Sequence, residues 1–255
     1  MGRVKTRDDI AAMREGGAML AQVLQLMKST AAPGMTGIDL AQLATKELKS
    51  LGGEPAFLGV DGGPGVRPFP DVICISISEE VQHGIPSSRV IVDGDVINFD
   101  FGVKHKGLIT DAGLTVGIGT ISEDAKRLLE GTQAALRAGM DQLKEGASVF
   151  DVSGAIEDTL ENYRLGIVLE LVGHGVGDSL HEIPEIPNYR TRGRQHIFKA
   201  GETVCIEPIA TLGSGRIVFA DDGWTILSAD STLSAQFEHT LLVKKDGCEP
   251  LTLIS

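Results

Sequence analysis

Gly94-Asp-Val-Ile-Asn-Phe-Asp100 aligns without gaps to Gly201-Glu-Thr-Val-Cys-Ile-Glu207. In each copy a glycine and an acidic residue open an apolar run, and the run ends on a carboxylate. A second echo lies upstream of each copy. Gly34-Met-Thr-Gly-Ile-Asp-Leu40 and Gly146-Ala-Ser-Val-Phe-Asp-Val152 both place a capping hydroxyl three residues before an aspartate, the arrangement that closes a helix N-terminus reciprocally. The echoes occur in the same order. They predict two similar halves, about 1–120 and 121–255, each of two helices followed by strands. No linker composition separates the halves, so residues 1–255 read as a single α/β (α+β) domain with internal pseudo-two-fold symmetry.

The local signals fill in that scheme. Thr6 caps a first helix, Asp8 and Asp9 suit the positive end of its dipole, and Ile10, Met13, Leu20, Val23, Leu24 and Met27 recur at helical spacing. Pro33-Gly34 stops it. Thr36 opens a second helix that ends at Gly52-Gly53, Ser122 a third with Leu128, Leu129, Leu136 and Leu143, and Ser148 a fourth. Asp61 to Pro70 is a Gly/Pro-rich loop. Val72–Ile77, Val90–Val92 and Val96–Phe101 carry strand patterning.

Composition narrows the functional classes. With 35 acidic and 23 basic residues the formal charge is −12, which argues against a nucleic-acid surface. Three scattered cysteines do not make a disulfide framework and favour a reducing compartment. The N-terminus lacks the apolar core of a signal peptide, and no run of about 18 apolar residues exists to span a membrane. A cytoplasmic monomer is expected.

Four segments carry candidate chemistry. In Val96–Ala112, a hairpin with His105-Lys106 at its tip pairs Lys104 with Gly107 and sets Asp100 opposite Asp111. Two carboxylates about 5 Å apart at an effective dielectric of 20 repel by roughly 3 kcal/mol. Phe99 and Phe101 face the other way, into a core, so the acidic pair needs a cation or a shared proton. The alternatives at this point are an exposed hairpin with two solvated carboxylates, or a bulge at Gly107 that breaks the register. In Leu171–Pro184, glycines flank His174 and His181 follows seven residues later. In Thr203–Ala210, Glu207 lies in an otherwise apolar strand, where an unpaired charge would cost several kcal/mol. Ser234–Val243 repeats this with Glu238, which shares a face with Gln236. One histidine among four carboxylates has the oxygen-rich character of a hydrolytic two-metal site. His105 and His196 read as solvated loop residues.

Taken together, the series Gln82-His83-Gly-Ile-Pro, Asp100 and Asp111 eleven apart, Gly173-His174-Gly-Val-Gly with His181, Ile206-Glu207-Pro and Ser234-Ala-Gln-Phe-Glu238-His resembles the signature of type I methionine aminopeptidases over nearly the whole chain. The resemblance implies the pita-bread fold, a central antiparallel sheet with helices on its outer face. It implies two divalent ions (Mn, Fe, Co or Zn), one held by Asp111, His174, Glu207 and Glu238, the other by Asp100 with bridging Asp111 and Glu238. A water activated between them attacks the scissile carbonyl, with Glu207 as general base. His83 and His181 contact the peptide, and Phe69, Cys74 and Trp224 form the methionine pocket. Implied partners are nascent polypeptide N-termini with a small second residue, and a transient contact with the ribosome to which the basic stretch Arg190 to Arg194 contributes. Several positions depart from the family wording: the long loop Asp61 to Pro70, Phe57, Leu180 before His181, and Thr110-Asp111-Ala112. They bear on the pocket rather than the metal ligands. An Xaa-Pro dipeptidase or aminopeptidase of the same fold is the nearest alternative, and a non-catalytic binding protein on this scaffold the next.

Overall fold

A computed structural model describes residues 3–193 and 195–253. The first half runs α1 (Arg7–Thr30), α2 (Gly37–Leu51), β1 (Glu54–Pro55), β2 (Cys74–Ile77), β3 (Glu80–Gln82), β4 (Val96–His105) and β5 (Leu108–Gly117). The second begins with α3 (Glu123–Gln142), α4 (Val149–Asn162), β6 (Gly166–Ile167), β7 (Gly173–Gly175), β8 (Glu182–Ile186) and β9 (Thr203–Ile206). It closes with β10 (Ile209–Thr211), β11 (Ile217–Phe219), β12 (Ile226–Ser228), β13 (Ser234–Gln236), β14 (His239–Lys244) and β15 (Gly247–Pro250).

The helices start where their caps dictate. Thr6, Thr36 and Ser148 each accept from the backbone N–H three residues on, and Asp9, Asp39 and Asp151 return the bond to the cap N–H. Gly52 ends α2 in the left-handed region at φ 77°, where glycine carries no Cβ penalty. The apolar stripes of α1 and α2 pack on Ile75, Ile97, Phe99 and Phe101 of β2 and β4. Those of α3 and α4 pack on Val204, Ile206, Leu241 and Val243 of β9 and β14.

Among the described residues all strand pairing is antiparallel, in four sheets rather than one continuous one. β4 pairs with β5 along one edge and with β2 and β1 along the other, while β15, β14, β9, β7 and β8 form the largest ladder. The sequence echo is repeated bond for bond. Gly94 and Gly201 adopt φ 92° and 90°, and their N–H groups donate to Ile118 and Val243 carbonyls, each at 2.9 Å. Asp95 and Glu202 each accept from the backbone N–H three residues before, at 2.9 and 3.0 Å.

Two expectations are corrected. Val90–Val92 is not a strand: Val90 makes one bridge, to Thr36, matched in the other half by Ser148 and Ile197. The β4–β5 turn also sits one residue later than read. Lys106 and Gly107 occupy its tip at φ 51° and 82°, the double positive φ of a tight hairpin turn. His105 therefore pairs with Leu108, and Asp100 faces Gly113 instead of Asp111.

Candidate active site

The two-residue register difference leaves Asp100 and Asp111 on one face of β4–β5, because side chains alternate with period two. They are diagonal neighbours, Asp111 lying opposite Gly102. β7 supplies His174, which sits across from Cys205 of β9, and Glu207 follows β9 immediately. Glu238 lies between β13 and β14, and its N–H donates to the Gly113 carbonyl at 2.8 Å. That bond joins the two halves at the site. All five side chains are buried.

The carboxylates converge without a lysine or arginine beside them among the described residues. Oxygens of Asp100, Asp111 and Glu238 lie within 4.8 Å of one another. Asp100 Oδ1, Asp111 Oδ1 and Glu238 Oε1 are buried with no hydrogen-bond partner. Burial pushes the Asp100 carboxyl up to about 7. Burial, then the neighbouring carboxylates, holds Asp111, Glu207 and Glu238 well above the usual range. The His174 ring is pushed down to about 4 by desolvation and by His181. Its Nδ1 lies 2.9 Å from the Gly175 carbonyl; a carbonyl only accepts, so Nδ1 carries the proton and Nε2, 3.4 Å from Glu207 Oε1, presents its lone pair to the cluster. Unpartnered oxygens around a neutral imidazole nitrogen suit divalent cations.

An outer ring of amides aims these ligands, several of them without a local sequence signal. Gln82 Nε2 donates to Asp100 Oδ2 at 3.0 Å. Gln236 Nε2 donates to Glu238 Oε2 at 2.9 Å, and Asn98 Nδ2 donates to Gln236 Oε1 at 2.8 Å, fixing which way that amide points. Asn188 Nδ2 holds the Glu207 carbonyl at 3.0 Å. Gln236 has room because residue 113 is glycine: a Cβ there would stand 2.1 Å from Gln236 Oε1. Gly113→Ala is expected to leave the melting temperature within a few degrees, since the amide can swing aside, while weakening metal binding by about 10–100-fold. Calorimetric titration of stripped protein with Mn²⁺ measures this; unchanged affinity would remove Gln236 from the ligand-aiming ring.

Beside the carboxylates a cavity of about 280 Å³ opens. Its apolar wall is Phe57, Val60, Phe69, Cys74, Leu180 and Trp224, and its polar end carries His83 and His181. Trp224 is held by a bond from its Nε1 to the Arg67 carbonyl at 2.8 Å and by edge-on packing with Phe69 at 5.2 Å. Phe57 and Leu180, two of the departures noted above, both belong to this wall. Desolvation, then His181, lowers His83 to about 4. The His181 ring lies edge-on to His174 at 4.5 Å.

The structure thus gathers every sequence-predicted site residue around one cavity. His105 and His196 are partly exposed, although His105 closes β4 instead of lying in a loop, and they pair with Glu15 Oε2 at 2.8 Å and Glu202 Oε2 at 2.9 Å. Neither reaches the carboxylate cluster. Arg190 of the basic stretch is tied to Glu157 and Asp158, and Arg194 lies outside the described residues.

A fold with two like halves and a carboxylate–histidine cluster at their junction defines a metal-dependent hydrolase scaffold. Residues 11–245 match the profile of metallopeptidase family M24, and the chain belongs to that family, whose members use divalent metal ions. Methionine aminopeptidase 1 of Bacillus subtilis (strain 168) is 38% identical over 250 residues, which cover 98% of this chain and 98% of that one. The crystal structure of methionine aminopeptidase from Thermotoga maritima matches with a TM-score of 0.94 at 36% identity, covering 100% of both chains. A prolidase from Pyrococcus furiosus shares the pita-bread fold, with a TM-score of 0.77 at 20% identity over 99% of this chain and 66% of its own.

Proposed function

We propose that this chain removes the N-terminal methionine from nascent proteins and peptides in the cytoplasm, favouring a small second residue. The observation that carries the reading is the adjacency of an apolar, Trp- and Phe-walled cavity to a buried cluster of four carboxylates and a neutral histidine. The cavity takes an unbranched apolar side chain, and the anionic cluster attracts the free ammonium of a chain terminus. Asp111, His174, Glu207 and Glu238 would hold one divalent ion, and Asp100 would hold a second together with Asp111 and Glu238. When bound, such ions lower the pKa of a water and polarise a carbonyl. Glu207 takes the proton from the attacking water. His83, uncharged at neutral pH, donates to the tetrahedral oxygen, and His181 at the cavity mouth orients the scissile amide. The ribosome is the expected place of contact with substrate, and Mn, Fe, Co and Zn all suit the donor set.

The test is methionine release from a Met-Ala-Ser peptide by chelator-stripped protein reloaded separately with Mn²⁺, Fe²⁺, Co²⁺ or Zn²⁺, with Ala-Pro as a parallel substrate. Metal-dependent release of methionine without Ala-Pro cleavage is expected. Cleavage of Ala-Pro alone would reassign the chain to a proline-directed activity.

A further inference from the structure

The geometry points to Lys5 as a positioning residue for His181, acting by gathering Asp178 and Glu182 onto one buried ammonium. Lys is rarely found fully buried unless paired, yet the Lys5 side chain is 1% exposed. Its Nζ lies 2.9 Å from Asp178 Oδ2 and 3.5 Å from Glu182 Oε2. These two carboxylates bracket His181 in sequence, so the ammonium pins both sides of the segment that carries the ring.

Other contacts turn this pin into a brace. The Lys5 N–H donates to the Gly201 carbonyl at 2.8 Å, fixing the strap on the second half of the fold. Arg3 Nη2 donates to Asp178 Oδ1 at 2.9 Å, and Ser179 N–H to Glu182 Oε1 at 2.9 Å. Gly177 lies directly against the lysine: a Cβ there would be 2.4 Å from Lys5 Cε, and its φ is +146°. The Gly177 carbonyl accepts from Ile109 N–H of β5 at 2.8 Å, tying the same loop to the strand that carries Asp111.

His181 needs this support. Its ring makes no hydrogen bond among the described residues, so its place is set by its backbone and by edge-on packing against His174. The pair with Asp178, which is 46% exposed, adds little stability, whereas Glu182 is 12% exposed and its pair with the lysine holds the segment just after His181. The inference rests on the reading above, in which His181 orients the scissile amide; a displacement of about 1 Å there costs on the order of 10²-fold in rate.

The experiment compares kcat and KM for Met-Ala-Ser in the metal-loaded wild type, Lys5→Met and Lys5→Arg, each also in a His181→Ala background. Ring ¹H–¹⁵N spectra of the histidines are recorded for the same proteins. Lys5→Met is expected to lower kcat by about 10–100-fold with KM nearly unchanged and to shift the His181 ring signals, and Lys5→Arg to recover most of the rate. In the His181→Ala background Lys5→Met should cost nothing further. An equal loss in both backgrounds, or an unmoved His181 signal, overturns the inference. Should Lys5→Met not fold, Asp178→Asn, at an exposed position, probes the same brace with the same expectations. A wild type that releases no methionine fails the activity reading itself, while the ring spectra still decide whether Lys5 positions His181.

Discussion

Stripped of divalent ions, the protein is expected to lose stability as pH rises above neutrality. Asp111, Glu207 and Glu238 are held well above the ordinary carboxylate range by burial and by one another, and Asp100 stands at about 7. A carboxyl whose folded pKa exceeds its unfolded value binds its proton more tightly in the folded state. Its favourable contribution is complete below about 4 and disappears as pH climbs through the folded value. Each such group costs up to about 1.4 kcal/mol per pH unit across that interval. The histidines pull the other way: His83, His174 and His239 are lowered to about 4, so they favour unfolding below their unfolded value of about 6.5. At that pH the unfolded histidines are still half charged, so their opposing slope fades about one unit higher, and beyond it the carboxylates set the trend. The melting temperature should fall across that range. Saturating Mn²⁺ should flatten the slope and raise the melting temperature throughout, by about 4 kcal/mol at a thousandfold excess over Kd. Differential scanning calorimetry with and without chelator makes the comparison. A flat or rising profile in the metal-free protein would mean that the four carboxyls do not crowd one another as described.

Asp100→Asn should separate activity from stability in opposite directions. The amide keeps the shape and still offers an oxygen to Gln82 Nε2, which donates to Asp100 Oδ2 at 3.0 Å. It removes one of four like charges, so the metal-free variant is expected to be more stable at pH 7.5 than metal-free wild type and to show a shallower pH slope. It also removes the ligand assigned to the second ion alone, and methionine release should fall by about 10²-fold or more. Metal content, kcat and unfolding are measured on one preparation. Full activity would sink the ligand assignment. An inactive variant with no gain in metal-free stability would keep that assignment and sink the charge argument.

What the sequence disclosed and what it withheld divide along physical lines. Helix starts were legible because a cap is local chemistry: Thr6 with Asp9, Thr36 with Asp39 and Ser148 with Asp151 need only three residues to identify. Metal-ligand candidates were legible because Glu207 and Glu238 are anomalies, charges placed where neighbours are apolar. The hairpin register was misread because the turn was centred on His105-Lys106, although Gly107 is the better second tip residue for a turn with two positive φ values. Asn98 and Asn188 were invisible because an asparagine in a strand or loop has no pattern of its own; its role comes from Gln236 and Glu207, brought to it only by folding. His105 found its carboxylate partner Glu15 across 90 positions of sequence, beyond the reach of any local rule.

The Lys106-Gly107 turn also sets an arithmetic for how this site tolerates change in length. Asp100 and Asp111 sit on its two arms, Asp100 opposite Gly113 and Asp111 opposite Gly102. Slipping one arm by two residues slides the carboxylates along the same face, whereas slipping it by one turns an entire arm inside out, taking the acid off the site face and driving Phe99 and Phe101 into the site. Parity thus governs the face but not the distance: an even step keeps the acids inward yet moves one about 6.6 Å along its strand, more than the 4.8 Å that spans the cluster, and an odd step turns the arm over altogether.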